Sequence, residues 1–390
     1  MIDSLIRDHR ILIVGGSGGV GKTSISAALA IRLAIAGHRT LVLTIDPARR
    51  LAAALGLEEM GPEAVDVTPR LVAAGLQPAG ELHAMMLDVE NTMNRLVERY
   101  APDAASRRRI QENRLYRNIS TRLSGSQEYA AMQRLYEIAS ERRFDRIILD
   151  TPPSTQALDF LTAPKRLVEF FDSRLIQVFV GVGSRAGRGL FRISDGLIRA
   201  LERLTGSGVI RDISEFFTIA DSIMQPFHDQ SRRAEAMLRR ADTRFVVVTG
   251  PRSSQLEDAR QFRARLESMR IGVRAMVVNR WLPPLSGDFQ AGDVQRRDVQ
   301  NTDVDPVNFS IGEMPGEDRS VASDPGDRLA SEIKMRALQL ERLAIGQTRA
   351  IIEIERNVGL PVFRVPELDH DVHSIEGLLE INRHLGACRA

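Results

Sequence analysis

Cysteine is almost missing from this chain of 390 residues, with Cys388 its sole example. That excludes a disulfide framework within the chain and any zinc site built on paired cysteines. Lysine is nearly as scarce: Lys22, Lys165 and Lys334 stand against fifty arginines in a combined 53. Long apolar runs are missing too, and none approaches the ~18 residues that a membrane-spanning helix requires. The opening Met1-Ile2-Asp3-Ser4-Leu5-Ile6-Arg7-Asp8 lacks the regions of a secretory signal, so a cytoplasmic location is expected. Charge of one sign is not in excess either. A net charge of +2 demands neither nucleic acid nor an acidic surface, and no nucleic-acid partner is expected. What is present, 43% apolar and 27% charged residues, describes a soluble globule with ample core. The length suits one α/β unit carrying an inserted lobe.

One of the rare lysines marks the decisive stretch, Gly15-Gly16-Ser17-Gly18-Gly19-Val20-Gly21-Lys22-Thr23-Ser24. It fits the phosphate-loop pattern, with Gly16, Gly21, Lys22 and Thr23 at the fixed positions. The apolar run Arg10–Val14 before it predicts a buried parallel strand, and Ser24–Ala36, stopped by Gly37, predicts a helix. Phosphate oxygens must be met by backbone N–H groups at close range, where a Cβ would obstruct them. The helix turns its positive end toward them. Residues 16–24 (Gly16, Ser17, Gly18, Gly19, Val20, Gly21, Lys22, Thr23 and Ser24) are therefore the expected nucleotide cradle. Lys22 is placed on the β- and γ-phosphates, and the Thr23 hydroxyl on Mg²⁺.

Further strands deliver further chemistry. Thr40–Ile45 is expected to be buried and to present Asp46 at its carboxyl end, where ligands of open α/β sheets sit; an Asp-Pro turn is the simpler alternative. Leu82–Val89 reads as another strand. Residues 90–143 read as helical, with Arg107, Arg108 and Arg109 on a solvated face. Arg146–Asp150 is an apolar strand ending on an acid, the form of a Walker B element whose carboxylate helps to hold Mg²⁺. Pro152 and Pro153 then turn the chain away, toward a candidate switch that ends in a helix over Thr155–Leu161.

Residues 163–240 read as a helical lobe holding seven of the fourteen phenylalanines and a basic glycine loop at Gly181–Gly189. Those aromatics are either plain core or an apolar client groove. The sheet resumes at Arg244–Thr249, followed by a helix over Gln255–Met269 and a strand at Val273–Asn279. Asn279 is placed at the ligand edge, as a base contact or a turn residue. Segment 287–329 is acidic and expected to be a mobile insertion. A long helix (Arg328–Arg356), an edge strand (Leu360–Val365) and a closing helix (Asp371–Leu385) complete the chain.

Taken in order, these pieces resemble the ArsA-type ATPases, which include the arsenical-pump ATPase and the ATPase that guides tail-anchored membrane proteins. The resemblance runs over nearly the whole chain. Gly15–Thr23 is similar to that family's phosphate loop. Thr44–Ala48 resembles its switch I, whose aspartate orients the attacking water. The stretch from Asp150 through Leu161 resembles switch II of the bacterial branch. Val277–Arg280 matches the segment whose asparagine contacts adenine, and Val365–Leu368 the loop that closes over the ring, which implicates Asn279 and Pro366.

The resemblance implies a single P-loop NTPase domain over 1–390, with a mostly parallel sheet flanked by helices and an inserted helical lobe. ATP and Mg²⁺ are the implied cofactors. Asp46 and Lys22 are the implied catalytic residues, and Thr23, Asp46 and Asp150 the metal-binding ones. A homo- or hetero-dimer with nucleotide near its interface is also implied.

The chain departs from the pattern in three ways. Ser17 stands where the family carries a signature lysine that crosses to the partner's phosphates. The converging thiolates that a metalloid site requires are lacking. So is the cysteine pair that staples the eukaryotic targeting dimer. Three outputs are weighed: a targeting or chaperone-like ATPase acting on an apolar client or membrane-protein partner, the energising subunit of an anion or arsenite exporter, and a MinD- or ParA-like positioning ATPase. Cysteine count disfavours the second, and the weak amphipathicity of Ser374–Leu385 disfavours the third.

Overall fold

The computed structural model describes residues 2, 6, 8–46, 48–113, 116–117, 126–152, 226, 228–284 and 325–386. Eight strands among these form one sheet: β1 (Ile11–Gly16), β2 (Arg39–Thr44), β3 (Val65–Asp66), β4 (Glu81–Met86), β5 (Arg146–Asp150), β6 (Thr243–Thr249), β7 (Val273–Trp281) and β8 (Val362–Pro366). Their order is β3-β4-β2-β5-β1-β6-β7-β8. All pairings are parallel except that of β3 with β4. The helices are α1 (Lys22–Ile35), α2 (Arg50–Ala54), α3 (Thr68–Ala73), α4 (Val89–Tyr100), α5 (Ala104–Glu112), α6 (Ser126–Glu141), α7 (Ser253–Ser268), α8 (Pro325–Val358) and α9 (Ile375–Gly386). No helix among the described residues is long and apolar enough to cross a membrane.

The central strands carry continuous apolar runs through their middles because both faces are covered. On one face Leu12, Val14, Val42, Ile148 and Val277 pack with Ile25, Leu29 and Leu33 of α1 and with Leu378 and Ile381 of α9. On the other, Ile13, Leu43, Leu149, Val247 and Met276 pack with Leu135 of α6, Phe262 of α7 and Ile351 of α8. Alternate residues of each strand thus feed two separate cores. This is the α/β sheet flanked by helices that the apolar runs predict.

Register decides where the strand ends meet. β5 lies between β1 and β2, with Asp150 level with Val14 on one side and Thr44 on the other. Gly16 pairs with Val248, so the glycine loop leaves the sheet beside the end of β6. The edge position of β8, expected from Pro361, holds.

Several boundaries differ from the expectation. The strand at Leu82 ends at Met86, because Asp88 caps α4: its Oδ1 accepts the Asn91 N–H at 2.9 Å. The two-residue β3 is too short to carry a periodic signal. Helix α8 begins at Pro325, inside the segment expected as an insertion to 329. The rest of that segment, most of 163–240, the stretch Thr155–Leu161, and Cys388 lie outside the described residues.

Leu29 is fully buried where α1 meets the sheet and α9. Replacing it with alanine is expected to lower unfolding stability by about 3 kcal/mol, since the surroundings cannot collapse fully into the void. Urea denaturation should show a lower midpoint with an unchanged slope.

Candidate nucleotide site

Backbone geometry explains the glycines first. A Cβ on Gly16 would lie 1.8 Å from the Val248 carbonyl oxygen, so no side chain fits where β1 leaves the sheet. Gly21 is left-handed (φ 86), and a Cβ there would come 2.3 Å from Asn279 Nδ2. Gly21 also occupies the N-cap of α1, which has neither a side-chain cap nor an acid in its first turn. The first N–H groups and the positive pole of this helix are therefore uncompensated by side chains. Ser17 Oγ is buried with no hydrogen-bond partner. A loop of uncapped donors with an orphaned hydroxyl is a cradle that fits phosphate oxygens.

Lys22 is buried, and its Nζ donates to the Ser17 carbonyl at 2.9 Å, spanning the loop from inside. Burial pulls its ammonium below the ordinary lysine value, against the opposing attraction of Asp150 and Asp46. Beneath the loop, Asp150 is 1% exposed. Its Oδ2 accepts the hydroxyls of Thr23 at 2.8 Å and Thr44 at 3.0 Å, and its Oδ1 that of Ser26 at 3.4 Å. Burial pushes the Asp150 carboxyl up to about 6, against the lowering pull of the Thr23 and Thr44 hydroxyls.

The donor set, a threonine hydroxyl and carboxylates, is all oxygen and fits a hard cation such as Mg²⁺. No cluster of three or more His, Cys, Asp or Glu that could cage a metal occurs among the described residues.

Asp46 follows β2. Its N–H donates to Thr44 Oγ1 at 3.2 Å, its Oδ1 accepts the Ala48 N–H at 2.9 Å, and its Oδ2 lies 3.6 Å from Arg50 Nη1. Gln127 of α6 steadies the same segment, with Nε2 donating to the Ile45 carbonyl at 3.0 Å. Across the loop, Asn279 Nδ2 donates to the Val20 carbonyl at 2.9 Å. This amide therefore braces the phosphate loop from the end of β7. Arg280, next in sequence, is left-handed (φ 63) at an irregularity in the β7–β8 register. Its Nη1 reaches the Gly19 carbonyl at 3.3 Å.

A cavity of about 780 Å³ opens over this assembly. Of the residues picked out by the sequence, Gly19, Gly21, Lys22, Thr23 and Ser24 line it. Asp46, Asn279 and Pro366 line it as well. Gly16, Val20 and Asp150 are buried behind it, and Ser17 and Gly18 lie on the arm of the loop leading in. Thr44, Ser26, Gln127, Arg50 and Arg280 were not singled out from sequence. Only Thr44 left a usable trace, a hydroxyl at the end of a buried strand two residues before an aspartate.

A parallel strand, a glycine loop closing on a helix, and a neighbouring strand that brings a carboxylate to the loop's threonine define a P-loop NTPase. Residues 9–308 match the family described as anion-transporting ATPase, the ArsA ATPases, and the chain belongs to that family. It is 25% identical over 311 residues to ATPase ARSA1 of Chlamydomonas reinhardtii, covering 72% of this chain and 36% of that one. It is 34% identical over 158 residues to a putative arsenical pump-driving ATPase of Prosthecochloris vibrioformis, covering 40% and 36%. Against ATPase GET3C of Arabidopsis thaliana the identity is 23% over 302 residues, covering 73% and 70%. The matched stretch thus spans 36% of the length of the first two relatives.

The Asp150 shift carries a stability consequence for the metal-free protein. Its folded value of about 6 lies above the ordinary 3.8. The contribution is therefore fully present below 3.8 and lost as pH rises through about 6, an amplitude of roughly 3 kcal/mol. Denaturation midpoints in chelator across pH 3–8 should show this component in the wild type, and Asp150→Asn should flatten it.

Proposed function

We propose that this chain binds ATP together with Mg²⁺ and hydrolyses it, using the closure and release of the loops around Asp46 and after Asp150 to drive a partner. The observation that carries the reading is the 2.8 Å bond between Thr23 and the buried Asp150, which joins the phosphate loop to the acid-ended strand. Lys22 and the free N–H groups at the start of α1 hold phosphate. Thr23, with Asp150 and Asp46, would hold Mg²⁺, which when bound neutralises phosphate charge. Asp46 orients the attacking water, and it need not be a strong base because this chemistry depends on placement and charge stabilisation. Asn279 and Pro366 flank the purine side.

Two subunits, identical or not, are proposed to close over nucleotide, with an apolar client segment or a membrane-protein partner as the output. The printed names of the relatives include both GET3-type and arsenical pump-driving ATPases. The lone Cys388 favours the former kind of output, since a metalloid trigger needs converging thiolates. Apolar-probe binding that differs between ATP and ADP states supports client handling. Stimulation by arsenite or antimonite, or by lipid or DNA, would replace that reading with an exporter subunit or a positioning ATPase.

Lys22→Ala and Thr23→Ala are expected to abolish phosphate release and weaken nucleotide binding. Asp46→Asn is expected to keep ATP affinity within about threefold while turnover falls by on the order of 10²-fold or more. Equilibrium binding beside phosphate release separates the two effects. Wild-type turnover in the Lys22 variant would sink the assignment.

A further inference from the structure

Hydrolysis of the terminal anhydride adds water oxygen to the γ-phosphorus. The bond to the bridging oxygen breaks, and its electron pair leaves on ADP. One water proton remains on the phosphate product and the other goes to solvent. Negative charge builds on the γ-phosphoryl oxygens along the way, and a fixed cation there is worth several orders of magnitude in rate. The glycine loop holds one cation, Lys22, and Ser17 is neutral. Two carboxylates, Asp46 and Asp150, act on that lysine. A second cation must therefore come from outside the loop.

Among the described residues, three arginines line the cavity: Arg49, Arg50 and Arg280. Arg280 is occupied at the loop tip, with Nη1 on the Gly19 carbonyl and Nε 3.9 Å from Glu367. Arg50 stands at the other corner. Its Nη1 lies 3.6 Å from Asp46 Oδ2, and its charge is among those felt by the Lys22 ammonium. Lys22, Asp46 and Arg50 thus share one electrostatic neighbourhood. The Arg50 side chain is 70% exposed, so its pairing with Asp46 is solvent-screened and exchanges at little cost. The turn that delivers it is a strained one: Arg49 is left-handed at φ 55, and α2 starts at the next residue. Such non-glycine conformations persist where surrounding structure enforces them, commonly beside ligands.

We propose that Arg50 is the second phosphate cation of this site, acting on nucleotide held by its own subunit. In the structure it pairs with Asp46. With ATP in place it moves to the γ-phosphoryl oxygens, which releases Asp46 to orient water. This rests on the ATPase reading above and adds to it the residue that balances the developing charge.

The test uses the full chain. Arg50→Ala should lower kcat by about 100-fold with ATP affinity held within about threefold, and Arg50→Lys should recover part of the loss. Affinity for ADP with aluminium fluoride, which mimics the transferring phosphoryl group, should fall in parallel with kcat while affinity for ADP alone stays put. Mixing Arg50→Ala with Lys22→Ala subunits should restore no activity, because both groups must serve the same nucleotide. Wild-type kcat in Arg50→Ala beside a dead Lys22→Ala overturns this inference and leaves the ATPase reading standing. Loss of kcat with undiminished aluminium fluoride affinity also overturns it, reducing Arg50 to a group that positions Asp46. Recovery on mixing overturns the same-subunit assignment. Turnover in Lys22→Ala itself would remove the reading beneath it.

Discussion

A carboxylate taken out of water is the constraint around which this molecule is arranged. Asp150 ends the one strand that has β1 on one side and β2 on the other, and it is held there by hydroxyls from α1 and β2. Removing a charge from water is expensive, and the rise of this carboxyl to about 6 is the sign of that expense. A desolvated carboxylate among hydroxyl donors gains more from a nearby cation than an exposed one does. The register of three strands thus determines electrostatics. Moving β5 by one residue would turn Asp150 to the other face of the sheet and dissolve the arrangement.

The opposite charge is treated the same way. Lys22 begins α1, is buried, and has its ammonium weakened by that burial while Asp150 and Asp46 support it. Its nearest bonded partner is a neutral carbonyl of its own loop. The helix behind it has a left-handed glycine where a capping side chain would ordinarily stand. Glycine serves two ends here. It lets the loop turn, and it leaves room for the Asn279 amide, which bonds the loop from the end of β7. Loop shape is therefore enforced by a residue 259 positions away in sequence.

That separation marks what could be read from sequence and what could not. Apolar runs of five or six residues, flanked by glycine and proline, are local signals, and they predicted the parallel strands and their order of chemistry. Asp46 and Asp150 were legible for the same reason, since each follows or ends such a run. Ser26 was not, and Thr44 only faintly, because a hydroxyl in a helix or strand becomes a partner of Asp150 only once the fold brings it there. Asn279 follows a buried apolar run in the sequence, but its bond to the Val20 carbonyl depends on three dimensions. The antiparallel β3 is too short to have a period, and Asp88 ended a strand early through a capping bond that only a helix start makes visible.

The two walls of the cavity are built to different stiffness. One wall is formed by the end of β8 and the chain that follows it, including Pro366, Glu367 and His370. It leads into α9, whose Asn382 donates to the Ala28 carbonyl of α1 at 2.9 Å and accepts from Arg32 at its own carbonyl at 2.9 Å. The same helix packs Leu378 and Ile381 into the core shared with α1. Helix α1 and this wall are therefore tied to each other through α9. The facing wall is anchored at its far end, where Leu51, Ala52 and Ala54 pack into the same core as α1, but its near end is fastened differently: a turn bond from Ala48 to Asp46, a side-chain bond from Gln127 to Ile45, and a solvent-screened pair between Asp46 and Arg50. Exposed contacts of this kind open with far less free energy than core packing does. A ligand that offers Arg50 and Asp46 better partners than each other will accordingly reshape the near end of this wall and leave its core-packed end and the other wall in place.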